Sequence, residues 1–386
     1  MVAGETISQV KNNMKKFRAL IIKLSIIVIM VLTIVLIAVL KKNPDTAEAM
    51  TRGFSRGYIR VASIISGLIP FMSLTELLAI IYVITFIVLI VLAIRDFIKI
   101  RPIKAINKLV NIPLMVLVVI AMYSLSCEMA YNRKEMPLPY YETEVDRTEF
   151  VDIYNYFADD VNYCVTQLEF DPSGDVKGYD VDKTTALVKE AYKIVTDDYF
   201  ASFAGAVKPM MSSFIYREFQ ITGVSFNALG EANINTLNTR VNFPITIAHE
   251  IAHTKGVMRE DDANKLAFYV CLNSESPYLR YSAYTSYFYQ MRSMVSSSYL
   301  TESEREGLHP LDPAFNKTQS FVTAFWKKHN LLEDIGNWFN NLYIKSSGVQ
   351  EGTSSYYGGT QSEFDPTTNK LHPSLYQKLF FEKYYR

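Results

Sequence analysis

Two histidines and a glutamate stand together at His249-Glu250-Ile251-Ala252-His253, an HExxH sequence. On a helix, His249 and His253 lie one turn apart on the same face, so both imidazoles can reach one tetrahedral Zn2+. Glu250 lies beside them, placed to take a proton from a water held at that metal. The chain has five histidines and this motif uses two of them. The plainer alternative is a buried helix with two satisfied histidines and a surface glutamate.

A catalytic zinc site needs a third protein ligand and an open position. Glu260, Asp261 and Asp262 follow closely after His253, and helix geometry separates them. Glu260 shares a face with Ala263, Asn264, Ala267 and Cys271. Those small residues allow close packing against the HExxH helix, with Glu260 aimed at the metal, so Glu260 is the preferred third ligand. Asp262, on a stripe with Leu266 and Tyr269, is the alternative. Asp261 falls on the more polar side with Lys265. An acidic first turn that only complements the helix dipole would need none of them as a ligand.

These residues need elements to hold them. Asn242 can cap the HExxH helix, Pro244 suits its first turn, and Gly256 supplies its stop after about Lys255. A second helix starts near Arg259 and continues past Cys271, carrying Asn264 as a residue able to orient a ligand. In residues 220–237, Gly223 and Gly230 punctuate short β-type runs at Val224–Phe226 and Ala232–Asn235. An edge strand there could hold an extended peptide, with Glu231 and Asn233 either lining the cleft or serving the turn. The tyrosine-rich stretch 278–300 reads as a helix. Within it Arg280, Tyr281 and Tyr284 are candidate oxyanion donors, or else aromatic core and a surface arginine. Further helices are expected from about 146, over 183–203 and over 314–344, with a Gly/Ser-rich loop at 346–360. His309, His329 and His372 lie in unrelated contexts and read as structural or surface residues.

The N-terminal third has a different character. Hydrophobic residues make up 49% of the 386-residue chain against 20% charged, and the apolar ones are concentrated there. Spans are expected at about 19–40, 77–94 and 110–126, with an amphipathic or re-entrant interfacial segment at 43–76. Tyr131-Asn132-Arg133 and the Pro137/Pro139 pair read as a linker over 131–145. The N-terminus and the loop 95–108 are dense in Lys and Arg, so the positive-inside rule puts them in the cytoplasm and residues 146–386 outside it. Lys+Arg and Asp+Glu balance at 39 each, and no basic field argues for nucleic acid. Three cysteines without a CxxC argue against a disulfide framework and leave a single Cys164–Cys271 bridge open.

The run Glu260-Asp261-Asp262-Ala263-Asn264 resembles the E-x-x-A-[D/N] signature that carries the third ligand in gluzincin metallopeptidases. The loop between the two helices is shorter here than in that group. Gly256 is similar to metzincins, but their third-ligand position would fall at Arg259, which cannot bind zinc. Over nearly its whole length the chain also resembles domain-of-unknown-function family 3810, bacterial membrane proteins with three N-terminal spans and an extracytoplasmic HExxH domain. That resemblance is carried by Tyr131-Asn132-Arg133, Gly230-Glu231-Ala232-Asn233, Pro244 through Asn264, and Tyr278-Leu279-Arg280-Tyr281-Ser282. It implies a zinc-peptidase-like architecture.

The expectation is therefore a mainly α protein. Three transmembrane helices (residues 1–130) precede a mostly helical, zincin-like α+β domain (146–386) with a small edge-strand region. Its expected function is membrane-anchored, zinc-dependent hydrolysis of peptide bonds in a peptide or protein substrate. Zn2+ would sit on His249, His253 and Glu260, with Glu250 as the base. The alternative is an inactive peptidase-like extracytoplasmic binding or scaffold protein, and the oligomeric state is not legible.

Overall fold

The computed structural model describes residues 2–195, 198–203, 205–295, 299–346, 349–365 and 367–384. It is mainly helical with two small sheets. The chain divides into two compact units, Met1–Ser55 with Leu74–Lys134, and Arg56–Ser73 with Glu135–Arg386.

The first unit holds α1 (Val2–Leu40) and α2 (Pro44–Met50); α3 (Arg56–Gly67) belongs to the second. The first unit resumes with α4 (Leu74–Ile98), α5 (Pro102–Leu109) and α6 (Asn111–Ser126). Phe17–Leu40, Leu74–Ile98 and Pro102–Ser126 are long and apolar enough to cross a membrane. Side chains such as Ile29, Leu32, Ile84 and Val91 are exposed along them, as lipid-facing helices require. The second and third stretches begin earlier than the apolar runs suggest. Lys104 and Lys108 interrupt the hydropathy but not the helix, and Lys108 pairs with Asp96 of α4. Tyr131 and Arg133, expected to open a linker, are buried in this unit. The Arg133 guanidinium forks onto both Glu48 oxygens at 2.8 Å, the planar geometry that suits a carboxylate.

The segment 43–76, read from sequence as one interfacial piece, is divided between the units. Arg56–Ser73 joins the second unit because Ile59, Ser63 and Ser66 form one buried stripe of α3 at i, i+4 and i+7. Gly230 makes this seat possible. A Cβ there would lie 2.6 Å from the Ile59 carbonyl and from the Ser63 nitrogen, and its φ is +63°, so only glycine fits on both counts.

The rest of the second unit runs through β1 (Val145–Asp146), α7 (Arg147–Gln167), α8 (Val181–Ala191), α9 (Asp198–Ala201), β2 (Ala206–Pro209), α10 (Ser213–Glu218), β3 (Gly223–Phe226) and β4 (Glu231–Ile234). It continues with α11 (Phe243–Thr254), α12 (Glu260–Leu272), α13 (Pro277–Arg292), α14 (Glu302–Glu306), α15 (Pro313–Lys328) and α16 (Glu333–Ser346). Strands β5 (Glu363–Asp365) and β6 (Lys370–His372) and helix α17 (Leu375–Tyr384) complete it. One sheet has the order β2-β4-β3, with β2 parallel and β3 antiparallel to β4; the other has the order β1-β6-β5. Strand β3 is therefore an edge, whereas β4 is central and wholly buried. Glu231 on β4 does not line a cleft. It is fully buried and pairs at 2.6 Å with Lys208 of β2, whose ammonium also donates to the Ser66 carbonyl at 2.7 Å.

Helix α11 is the centre of this unit, packed on α8, α12, α13, β3 and β4. Around it the tyrosines and phenylalanines form an edge-to-face core, with Phe157 against Tyr284 and Phe380, and Phe268 against Phe380. The expected helix over 183–203 stops at Ala191, where Tyr192 turns into the core and its hydroxyl donates to the Ala248 carbonyl at 2.6 Å. The expected helix over 314–344 is two, α15 and α16. His329 leaves helical geometry (ψ 69°) and the Leu332 N–H donates to the Glu218 carbonyl. All three cysteines are free thiols, so no Cys164–Cys271 bridge forms.

Candidate metal centre

Helix α11 presents the HExxH residues, and its ends explain their precision. Asn242 does not cap it: its side chain makes no capping bond and its backbone is already helical. The Ser282 hydroxyl of α13 accepts from the Ile245 N–H instead, at 3.3 Å. At the other end Gly256 adopts φ +82°. The Gly256 N–H donates to the His253 carbonyl and the Val257 N–H to the Ala252 carbonyl, the paired bonds of a Schellman stop. This reversal brings the Val257 carbonyl within 2.8 Å of His253 Nδ1. The bond places the ring proton on Nδ1 and leaves the Nε2 lone pair free for a cation.

The turn also delivers α12 against α11. His249 Nε2 lies 3.2 Å and His253 Nε2 3.4 Å from Glu260 Oε2, and one ligand atom from each of the three lies within 4.8 Å of the others. His253 and Glu260 are buried, while His249 keeps partial exposure. Glu260 Oε2 is buried without a hydrogen-bond partner. Two imidazole nitrogens and a carboxylate oxygen thus converge on one point that a cation would satisfy, and a two-His, one-Glu donor set is that of catalytic zinc sites. The residues fit the metal.

The electrostatics express the same need for positive charge. Burial alone would push the Glu260 carboxyl up, but the charge on His253, with the His249 imidazole beside it, holds it well below the usual carboxylate range. Burial likewise opposes protonation of His253, yet the Glu260 charge outweighs it and the imidazole is pushed up to about 9.

Glu250 is buried, and burial raises its carboxyl above the ordinary value. Strand β3 holds it from one side. The Ser225 hydroxyl lies 2.8 Å from both Glu250 Oε2 and the Glu250 carbonyl, so its one proton is shared between them. At Gly223 a Cβ would lie 2.5 Å from Glu250 Oε1, so the missing side chain is what lets the strand approach. Asn227, in the β3–β4 turn, donates to the His253 carbonyl at 2.8 Å. Sequence reasoning passed over Ser225, Asn227 and the Val257 carbonyl. The one signal available was the β-type run between Gly223 and Gly230, which places a hydroxyl two residues after the first glycine.

Ser225→Ala yields a prediction with a definite sign. The hydroxyl favours the Glu250 carboxylate, so its loss raises the carboxyl further. The acidic limb of any activity profile should then move to higher pH, and activity near neutrality should fall on the order of tenfold, the worth of a hydrogen bond to a charged group. A pH–rate series on both proteins checks it; superimposable acidic limbs would show that Ser225 does not touch the ionising group.

The other candidates lie elsewhere. Asp262 pairs with Lys265 at 2.9 Å and faces Arg259 at 3.6 Å; burial raises its carboxyl, and it is not in the cluster. Asp261 pairs with Lys265 and Arg259. Asn264 donates to the Tyr356 carbonyl at 3.4 Å. Tyr281 donates to Thr318 and Tyr284 to Asp160, and Arg280 holds Asp160 and the Ser274 and Glu275 carbonyls. These three are core and scaffold. His309, His329 and His372 each face a carboxylate, namely Asp159, Glu218 and Glu144.

A family model described as "Protein of unknown function (DUF3810)" matches residues 50–360. That range is more than half of the chain and takes in part of each unit, and the chain belongs to this family. No curated protein and no solved structure matches the chain.

Proposed function

We propose that this DUF3810 member is a membrane-anchored zinc metallopeptidase that hydrolyses peptide bonds outside the cytoplasm. The observation that carries the reading is the convergence of His249, His253 and Glu260 around a buried, unpartnered Glu260 oxygen, with Glu250 held beside it by Ser225. His249, His253 and Glu260 would hold Zn2+. When bound, the metal supplies Lewis acidity, which makes water a stronger acid near neutral pH and polarises a carbonyl.

The chain's own groups do the rest. Glu250 accepts the proton of the attacking water and returns it to the leaving amine. Burial tunes it for that exchange by lifting its carboxyl toward the working pH. Ser225 and the glycine at 223 fix which way the carboxylate faces. The Val257 carbonyl holds His253 in the tautomer a metal requires. The outer edge of β3, which pairs with no further strand among the described residues, offers main-chain groups to an extended substrate. The three apolar helices anchor the chain, and the Lys/Arg-dense N-terminus and residues 95–108 favour a cytoplasmic side for both, leaving the second unit outside.

Purified protein is expected to carry about one zinc per chain and to cleave a mixed peptide library. Chelation should abolish cleavage and zinc should restore it. Metal-free protein that cleaves equally well would overturn the reading, and zinc-loaded protein without cleavage of any peptide would favour a binding role for the same site.

A further inference from the structure

Two helices of the second unit are built inside out. In α3 the inward stripe is Ile59, Ser63 and Ser66, while Val61, Ile64, Ile65 and, just beyond the helix, Leu68 and Phe71 are exposed, the last two by more than three quarters. In α16 Ile344 is fully buried, and the other inward residues are small or polar. Gly336 is pressed against Phe219, Asn340 donates to the Tyr356 hydroxyl at 3.2 Å, and Asn341 accepts from the Thr353 N–H at 3.1 Å. Its outward stripe is Ile335, Trp338, Phe339 and Leu342, with Leu331 just before the helix, all exposed. A helix bordering water turns its apolar stripe inward. Small residues inside with large apolar residues outside is the pattern that lipid, acting as solvent, favours.

Contacts within the unit connect the two helices. Ser66 of α3 accepts from Lys208 of β2. Helix α10 follows β2 and exposes Phe214 and Ile215. The Glu218 carbonyl at its end accepts from the Leu332 N–H, at the start of α16. The chain itself says what covers this surface. Helix α3 is inserted between two stretches apolar enough to cross a membrane, Phe17–Leu40 and Leu74–Ile98. Only residues 68–73 separate its end from α4, so Gly67 can lie no more than ~25 Å from the start of that span. Exposed Arg60 on α3 and Lys345 on α16 suit anionic headgroups beside the apolar stripes.

We propose that the second unit beds α3, α10 and α16 into the interfacial layer of the bilayer. The proposal rests on the membrane crossing proposed above and is independent of zinc and hydrolysis.

The two tryptophans, Trp326 and Trp338, make it testable in the full chain. The protein is reconstituted into vesicles of phosphatidylcholine and phosphatidylglycerol with brominated acyl chains. Trp326→Phe leaves Trp338 as the only indole, and strong quenching by the bromolipid with several-fold protection from aqueous iodide is expected. In a background carrying Trp326→Phe and Trp338→Phe, Phe71→Trp should behave the same way. In that background Phe86→Trp reports the α4 span itself. If Phe86→Trp is quenched by bromolipid while Trp338 is quenched by iodide alone, the bedding of this face is overturned and the span stands. If Phe86→Trp is not quenched, the membrane crossing fails first, and this proposal with it. Protection of Trp338 from both quenchers would mark a second copy or another protein on the stripe, and would also overturn it.

Discussion

His253→Ala is expected to lose essentially all bound zinc, whereas Glu250→Gln should keep about one zinc per chain and lose hydrolysis by roughly 10²–10⁴-fold. The two changes separate because the two side chains meet different partners. His253 has Nδ1 committed to the Val257 carbonyl and Nε2 turned to Glu260, so its removal takes away a ligand already oriented for a cation. Glu250 is held by Ser225, outside the three-residue cluster. Glutamine keeps its size and can still accept the Ser225 bond, but it cannot take a proton. Metal analysis and single-turnover cleavage on both variants decide the matter. Stoichiometric zinc in His253→Ala would remove this residue from the ligand set. Undiminished cleavage in Glu250→Gln would put the base elsewhere.

The part of the site that was legible in the sequence was the part governed by local periodicity. The spacing of four between the histidines and the small-residue face behind Glu260 follow from helix geometry alone, and the structure brings those faces together. Gly256 was legible as a stop because the turn needs positive φ. Asn242 looked like a cap for equally local reasons, but a tertiary partner, Ser282, took the role. The residues that hold Glu250 and His253 were not legible as such, since a backbone carbonyl such as that of Val257 carries no sequence code. Strand β2 was missed because Ala206–Pro209 contains a lysine and a proline, both poor strand signals. Its parallel partner lies beyond α10 and β3. Helix α3 was read as an amphipathic segment, and it is one. Which face met protein depended on a glycine more than 160 residues away, which no local window contains.

Lys208 ties these long-range features together, and its removal should have the largest effect on stability. Lys208 and Glu231 are both fully buried, 2.6 Å apart, across the parallel pair β2–β4. The ammonium also donates to Ser66 of α3. In Lys208→Met the buried Glu231 carboxylate loses the Lys208 charge, and the Ser66 carbonyl loses one of its two donors, keeping the Ile69 N–H at 3.1 Å. Breaking a buried pair from one side costs about 3–5 kcal/mol, most of it desolvation of the charge left behind. For a unit of this size that lowers the melting midpoint on the order of 10 °C. Replacing both partners, Lys208→Met with Glu231→Leu, should recover most of the loss, because an apolar pair owes no such penalty. Near-ultraviolet circular dichroism melts of the full chain in detergent measure both. A double variant as unstable as the single one would show that Lys208 acts chiefly by holding Ser66, and so by fastening α3 to the sheet beside the HExxH helix. A single variant as stable as wild type would show that water reaches the pair and that the seat of α3 is looser than the hydrogen bonds imply.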